Sequence, residues 1–574
     1  MRKICYLLLM VLCLQVNAQG YRTMSVWSNG SHTDKTIVDI DSISFADDGS
    51  ITVFSGNQAS YSASEVDSIT LSVPDVTSTN KKTVKELRTK FNAVKVKTNS
   101  FKATTQHSPL MGHKFGADPF GMVDGNRLYV YMTDDHLYRS TDGQPITGAY
   151  DYSDCKNVTI ISSEDLVNWT DHGTQPVAGS GGPASWAGNM WAPCAAHKTI
   201  NGKEKYFLYF SNNSNGIGVL TSDSPYGPWA QPSNLSGALI NHNTPTCSSS
   251  QVPSVYDPAV LIDDDGKAYL YFGGGTDNLD LANPGSARCV QLGDNMVSIV
   301  GEPVQIKPPY HFEDSGINKI GGKYLYSYCA HFQTGGGSPG NGNIGYMKSD
   351  NPLGPFTYVG KCFDNPGGSS WAGGGGNNHH AIVEFQGKYY MLYHNRALKS
   401  AMRSSNPDIN DNVELRSTCI NEIKVDTVKG TITALSASDL KQTIKQVKNF
   451  DPYKTVPGAT MAWELGVTTT YQKYSSKYIC TADLKSGSWL GLSRVDFGEG
   501  AKAFKVKAMG TGILKICYKE PDDWGEEIAY VEVSARGYYD DFIVPLVKET
   551  KGVKGKVFIV SSGNISIQSW SFVK

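Results

Sequence analysis

From about residue 105 to 440, hydrophobic and polar positions recur in one order. A polar or acidic turn leads to a glycine with Lys or Asn after it, and then to a run of apolar and aromatic residues. The copies are GNRLYVYM from Gly125, GKEKYFLYF from Gly202, GKAYLYF from Gly266, GKYLYSY from Gly322 and GKYYMLY from Gly387. Each run is short, rich in tyrosine and bounded by turn residues, so each predicts a strand rather than a helix. Successive copies lie 56 to 77 residues apart, which leaves room for four short strands per repeat and predicts propeller blades. Two turns that end on an aromatic, SPYGPW (224–229) and NPLGPF (351–356), repeat as well. The alternative, a large β-sandwich with coincidental Gly-Lys turns, does not explain five similar strand openings.

The flanks follow other patterns. TIVDIDSISF (36–45) and SASEVDSITL (62–71) echo each other and predict a small N-terminal β unit over 21–75. The polar text of 76–104 predicts a linker with one helix. After 450 alternation takes over, as in AKAFKVKAMG, IAYVEVSA and KGKVFIVSS, which predicts a β-sandwich over 450–574. The expected fold is therefore all-β: a five-bladed β-propeller over 105–445, then a β-sandwich, with a small β unit in front. Residues 1–18 read as a signal peptide: Arg2 and Lys3, an apolar run from Ile4 to Leu14, and Val16-Asn17-Ala18 as the cleavage site. An exported protein, periplasmic or extracellular, is expected.

Composition narrows the function. A formal net charge of -2 gives no electrostatic footprint for nucleic acid. No segment after the leader is long and apolar enough for a membrane span. The 59 glycines and 31 tyrosines suit a turn-rich β protein with aromatic surfaces. The 11 cysteines are scattered without a metal or redox spacing. A monomer without organic cofactor is expected.

Three acids begin the same local pattern, in which a short apolar strand, a turn with Gly and the Tyr strand follow: Asp118, Asp257 and Glu313. A lone Asp-Pro is a common turn pair. Three acids in register, from three blades whose inner strands converge on one axis, point to a shared pocket. Such a pocket could cage a hard cation or hydrolyse a glycosidic bond, which needs an acid at the leaving oxygen and a base on water. Trp186, Trp191 and Trp371 lie in glycine-rich loops and suit a cleft lining for sugars. In GGGGNNHHAIVEF (373–385), His379 and His380 fit a pocket floor as well as they fit hydrogen-bonded loop residues.

At these residues the sequence resembles glycoside hydrolase family 43, and within it the arabinoxylan arabinofuranohydrolases. The resemblance is carried by the Asp118 segment, SSEDLVNWTDHG (162–173), WAGNMWAP (186–193), YFLYFSNNSNGIGVL (206–220), YDPAVLIDDDGKAYLYFGGG (256–275), FEDSGINKIGGKYLYSYC (312–329), YMKSDNPLGPFTYVG (346–360) and NNHHAIVEF (377–385). It implies hydrolysis with inversion, with Asp118 as general base, Glu313 as general acid and Asp257 as the group that tunes and positions the acid. Asp314 is expected to be structural. Trp191, Asn378, His379 and Arg416 are expected to bind substrate, a plant cell-wall polysaccharide or oligosaccharide. The resemblance also implies a calcium or other ion on the axis beside a histidine, His380, with His379 the alternative. The C-terminal part resembles a family 6 carbohydrate-binding module. Pro457-Gly458-Ala459-Thr460 and Ser569-Trp570 stand where that module's calcium ligands are expected, which puts its calcium and its sugar binding in doubt. Other readings are β-xylosidase or galactosidase action, a non-catalytic carbohydrate-binding propeller, and a structural adhesion protein.

Overall fold

The computed structural model describes residues 81–574 apart from 99, 138–151, 406–408, 410–413, 476 and 523–524; before residue 81 it describes only the backbone of six short strands. The expected leader, 1–18, lies outside the described residues.

Five antiparallel sheets follow one another along 117–423. Blade 1 comprises Ala117–Asp124, Arg127–Thr133, Asn157–Ser163 and Trp169–Pro176. Blade 2 comprises Trp191–Ile200, Lys203–Ser211, Gly216–Ser222 and Ile240–Asn241. Blade 3 comprises Ala259–Ile262, Ala268–Phe272, Ala287–Leu292 and Ile299–Ile306, and blade 4 His311–Ile320, Lys323–Ala330, Ile344–Ser349 and Thr357–Phe363. Blade 5 comprises His380–Phe385, Lys388–Asn395 and Ser417–Ile423. The first strand of each blade touches the first strands of its two neighbours, and the circle closes where Ala117–Asp124 meets His380–Phe385. This is the five-bladed propeller that the repeat predicts.

The aromatic runs are the second strands, and they are buried nearly end to end. Blades stack face to face, so both sides of such a strand are covered and the usual polar alternation is lost. Tyrosine serves here because its ring fills the space between blades while its hydroxyl reaches a carbonyl. Tyr209 donates to Met296 O at 2.6 Å and Tyr271 to Pro352 O at 2.6 Å, each reaching into the following blade. The circle is fastened by the segment before blade 1. Leu110 N donates to Thr418 O (2.8 Å) and Gly116 N to Arg416 O (3.0 Å), beside the last strand of blade 5.

The C-terminal strands form one hydrogen-bonded network. The long strands Lys477–Asp496 and Ala503–Tyr518 shift register along their length, and each pairs with partners from both layers. The sandwich is thus partly closed, like a barrel. It is welded to blade 1: Thr460–Met461 pairs with Trp169–Thr170 as an added edge strand. One apolar cluster runs from Leu128 and Trp169 of the propeller to Trp489 and Phe558 of the sandwich. Much of the expected linker belongs to this packing. The helix Lys81–Phe91 buries Leu87 and Phe91, Phe91 meets Tyr530 edge-on at 6.0 Å, and Trp489 Nε1 donates to Lys97 O at 2.9 Å.

In the N-terminal unit the two echoes do not pair with each other. Ser42–Phe45 pairs with Ile51–Phe54, and Ser68–Ser72 pairs with Thr23–Ser28, so each echo completes a sheet with strands from the other half.

Candidate active site

The site grows out of a backbone feature repeated around the axis. Near the start of the inner strands of blades 1 to 4, one residue takes the left-handed conformation: Asp118 (φ 49°), Ala192 (φ 38°), Asp257 (φ 51°) and Asp314 (φ 66°). The ladder slips at three of these places, between Ala117 and Phe120, Trp191 and Cys194, and Glu313 and Gly316. Such bulges leave an N–H outside the ladder and turn side chains toward a new direction. Aspartate tolerates the left-handed region better than most residues.

The N–H groups at these four places, and that of His380 in blade 5, are satisfied in a circle. Ala192 N donates to Thr133 Oγ1 (2.9 Å), Asp257 N to Ser211 Oγ (2.8 Å) and Asp314 N to Asp257 Oδ2 (2.9 Å). His380 N donates to Asp314 Oδ2 (3.1 Å), and Asp118 N to His394 Nδ1 (3.0 Å). In every case the acceptor belongs to the preceding blade. One residue ahead of these five positions stand Ala117, Trp191, Tyr256, Glu313 and His379. The last four line a single cavity of about 280 Å³ with Asp118, Asp257, Tyr152, Asn377 and Arg416.

This register corrects the expectation that Glu313 is equivalent to Asp118 and Asp257. Asp314 holds the equivalent place and serves the scaffold, with its carboxylate bonded to the backbone and ring of His380. Glu313, one residue earlier, faces the cavity. Its Oε1 is buried with no hydrogen-bond partner among the described residues.

The same offset separates the two histidines. His379 sits among the carboxylates: Nδ1 is 3.7 Å from Asp118 and 3.6 Å from Asp314, and Nε2 is 3.6 Å from Asp257 and 3.8 Å from Glu313. Burial alone would lower its pKa, but these acids outweigh burial and hold the imidazole well above its ordinary value. The surrounding acids thus favour the protonated form of His379. His380, expected to hold the ion, has both ring nitrogens engaged, by Asp314 (2.5 Å) and Ser327 (2.7 Å). Asn378 is corrected in the same way. It is buried behind the wall, donating to Gly342 O at 3.0 Å, and Asn377 takes the pocket position.

Asp118 is clamped. Arg416 Nη1 donates to its Oδ1 (2.8 Å) and Thr133 to its Oδ2 (2.8 Å). Burial would raise this carboxyl, yet Arg416, His379 and His394 overcome burial and hold it well below the usual range. Arg416 itself is fixed by Asp135, through Nε at 2.9 Å and Nη2 at 2.8 Å. The arginine lines the pocket, but most of its hydrogen bonding goes to carboxylates. His394 Nδ1 accepts from Asp118 N, so its proton lies on Nε2, which donates to Asn377 O at 3.0 Å. Asp257 goes the other way: burial, with the nearby Glu313 adding and His379 opposing, pushes its carboxyl up to about 7.

Of the three loop tryptophans, Trp191 lines the cavity and donates from Nε1 to Tyr152 O at 2.9 Å. Trp186 packs on Phe210 in a blade core, and Trp371 packs against the core of blade 5. Sequence reasoning missed Thr133, Asp135, Tyr152, Asn377 and His394. For two of them a signal existed: Thr133 and His394, like Ser211, are polar residues at the end of an apolar second strand.

Asp257, Glu313 and His379 offer ligand atoms within 4.8 Å of one another. Calcium takes six to eight oxygens, and two carboxylates with one imidazole nitrogen fit it poorly. Ligation by Glu313 would also occupy the atom that faces the cavity.

Residues 111–427 match the family described as glycosyl hydrolases family 43. An arabinoxylan arabinofuranohydrolase of Paenibacillus polymyxa is 39% identical over 494 residues, 81% of this chain and 74% of that protein. An arabinoxylan arabinofuranohydrolase of Bacillus subtilis (strain 168) is 37% identical over 495 residues, 81% of this chain and 92% of that one. A crystal structure of a family 43 arabinoxylan arabinofuranohydrolase from Bacillus subtilis, in complex with cellotetraose, superposes with a TM-score of 0.75 at 36% identity. It covers 82% of this chain and 98% of that one.

Proposed function

Because this chain belongs to glycosyl hydrolases family 43, we propose that it releases α-L-arabinofuranosyl side groups from arabinoxylan or a related plant polysaccharide, with inversion. The observation that carries this reading is the axial cavity, where Asp118, Asp257 and Glu313 stand around His379. Asp118, kept ionised by Arg416, takes a proton from water as the water oxygen attacks the anomeric carbon. Glu313 gives its proton to the departing oxygen on the other side of the sugar. An inverting pair is expected roughly 6.5–9.5 Å apart, leaving room for that water; His379 contacts both acids, at 3.7 Å from Asp118 and 3.8 Å from Glu313. Asp257 holds the strand that carries Glu313 through the bond from Asp314 N. Trp191 and Tyr152 form the aromatic wall against which the sugar rests.

The test is product analysis after incubation with arabinoxylan. Free arabinose with an intact xylan backbone supports the proposal. Release of xylose instead moves the activity to a β-xylosidase. We propose export by the 1–18 leader as well, and sequencing of protein from the culture medium or periplasm should begin at Gln19. A monomer in solution is expected by light scattering.

A further inference from the structure

The repeated turns SPYGPW and NPLGPF do the same structural work. Tyr131 O–H donates to Pro225 O in the first and Tyr271 O–H to Pro352 O in the second. Trp229 meets Tyr131 edge-on at 6.3 Å, as Phe356 meets Tyr271 at 6.4 Å. The two turns part at their third residue. Leu353 is half-buried against its blade, whereas Tyr226 is 43% exposed. Its ring lies flat on His172, with centroids 4.2 Å apart and planes at 9°, so the platform is rigid.

Tyr226 faces a groove of about 680 Å³ between the propeller and the sandwich. A second flat pair stands on the sandwich side: Tyr471 and Tyr478 stack at 5.1 Å and 9°, and Tyr478 is 47% exposed. Lys473 and Lys477 complete that wall. Both are exposed, with no ion pair among the described residues. Held aromatic faces flanked by free donors match a sugar ring, which has an apolar C–H face and a rim of hydroxyls. An extended peptide would instead seek a free strand edge, and a simple anion would leave the tyrosine faces unused.

We propose that this seam is a second, non-catalytic site that holds a polysaccharide chain on Tyr226 and Tyr478. Only the identity of the polymer rests on the function proposed above. The test uses the full chain with Glu313→Gln, so that substrate is not consumed, in affinity electrophoresis through arabinoxylan, unsubstituted xylan, arabinan and a β-glucan. Tyr226→Leu copies the residue of the sister turn, and Tyr478→Thr keeps a strand former on an exposed position, so both changes preserve the fold. Together they should weaken retention at least about fivefold, while Tyr226→Phe with Tyr478→Phe retains it. In the active enzyme the same Leu/Thr pair should leave hydrolysis of an aryl α-L-arabinofuranoside unchanged. Unaltered retention in the Leu/Thr variant, or no retention of the parent by any of the four polymers, overturns the proposal. Tyrosine-dependent retention by a polymer other than arabinoxylan supports the seam and counts against the proposed substrate.

Discussion

The propeller axis and the core of the sandwich are built from opposite materials. On the axis, Asp118, Asp257, Glu313, Asp314, His379 and Arg416 are all buried, the four acids each within 3.8 Å of His379 and Arg416 within 2.8 Å of Asp118. The sandwich interior is apolar, with Phe504, Leu514, Ile559 and Trp570 among its members. Burying a charge costs several kcal/mol unless partners compensate, and on the axis the compensation is incomplete at Glu313 Oε1. The difference teaches where free energy is stored. The sandwich and the blade interiors supply stability, and the axis spends some of it to hold groups in protonation states that water would not allow.

The largest expected effect is on the axis. Glu313→Gln should lower turnover by about 10² to 10⁴ and leave the melting temperature unchanged or higher, because the buried Oε1 has no hydrogen bond to lose. Near-parental turnover would remove Glu313 from its role. In the sandwich the signs reverse. Phe504→Ala should cost about 3–5 kcal/mol in urea unfolding, with turnover per folded molecule unchanged. A turnover defect there would mean that the two regions are coupled. His379→Asn should lower turnover by about 10². It should also move the acidic limb of the kcat/KM profile to higher pH, because Asp118 loses a cation that lowers its pKa. The smallest effect concerns Asp257. Its carboxyl is raised to about 7, so the folded state binds the proton more tightly than the unfolded chain does. The resulting stability is fully present below about pH 4 and is lost as pH rises through about 7. The parent's melting temperature should therefore fall more steeply between pH 4 and 7 than that of Asp257→Asn.

The comparison also explains what could be read from the sequence. The blades were legible because a strand buried on both faces writes itself as a continuous apolar and aromatic run, as in YFLYF and KYLYSYC. Asp118, Asp257, Glu313, Trp191, His379 and Arg416 all reach the pocket. The errors are single-residue offsets: Asn378 for Asn377, His380 for His379, and Glu313 aligned where Asp314 belongs. At Glu313 and Asp314 a bulge changes which of two adjacent side chains faces the axis, and no local pattern marks where that ladder slips. Asp135 and His394 stayed hidden for another reason. Each meets Arg416 or Asp118 only because the circle closes, bringing together residues more than 270 positions apart.

The most direct test of the axial site is proton NMR of arabinoxylan hydrolysis from the earliest minutes, before the released sugar mutarotates. If Asp118 activates water opposite Glu313, arabinose appears first as the β anomer, inverted from the α linkage, and the α anomer grows in later. Arabinose appearing first as the α anomer would mean retention through a covalent intermediate, and would contradict the assignment of Asp118 and Glu313 as base and acid across a water.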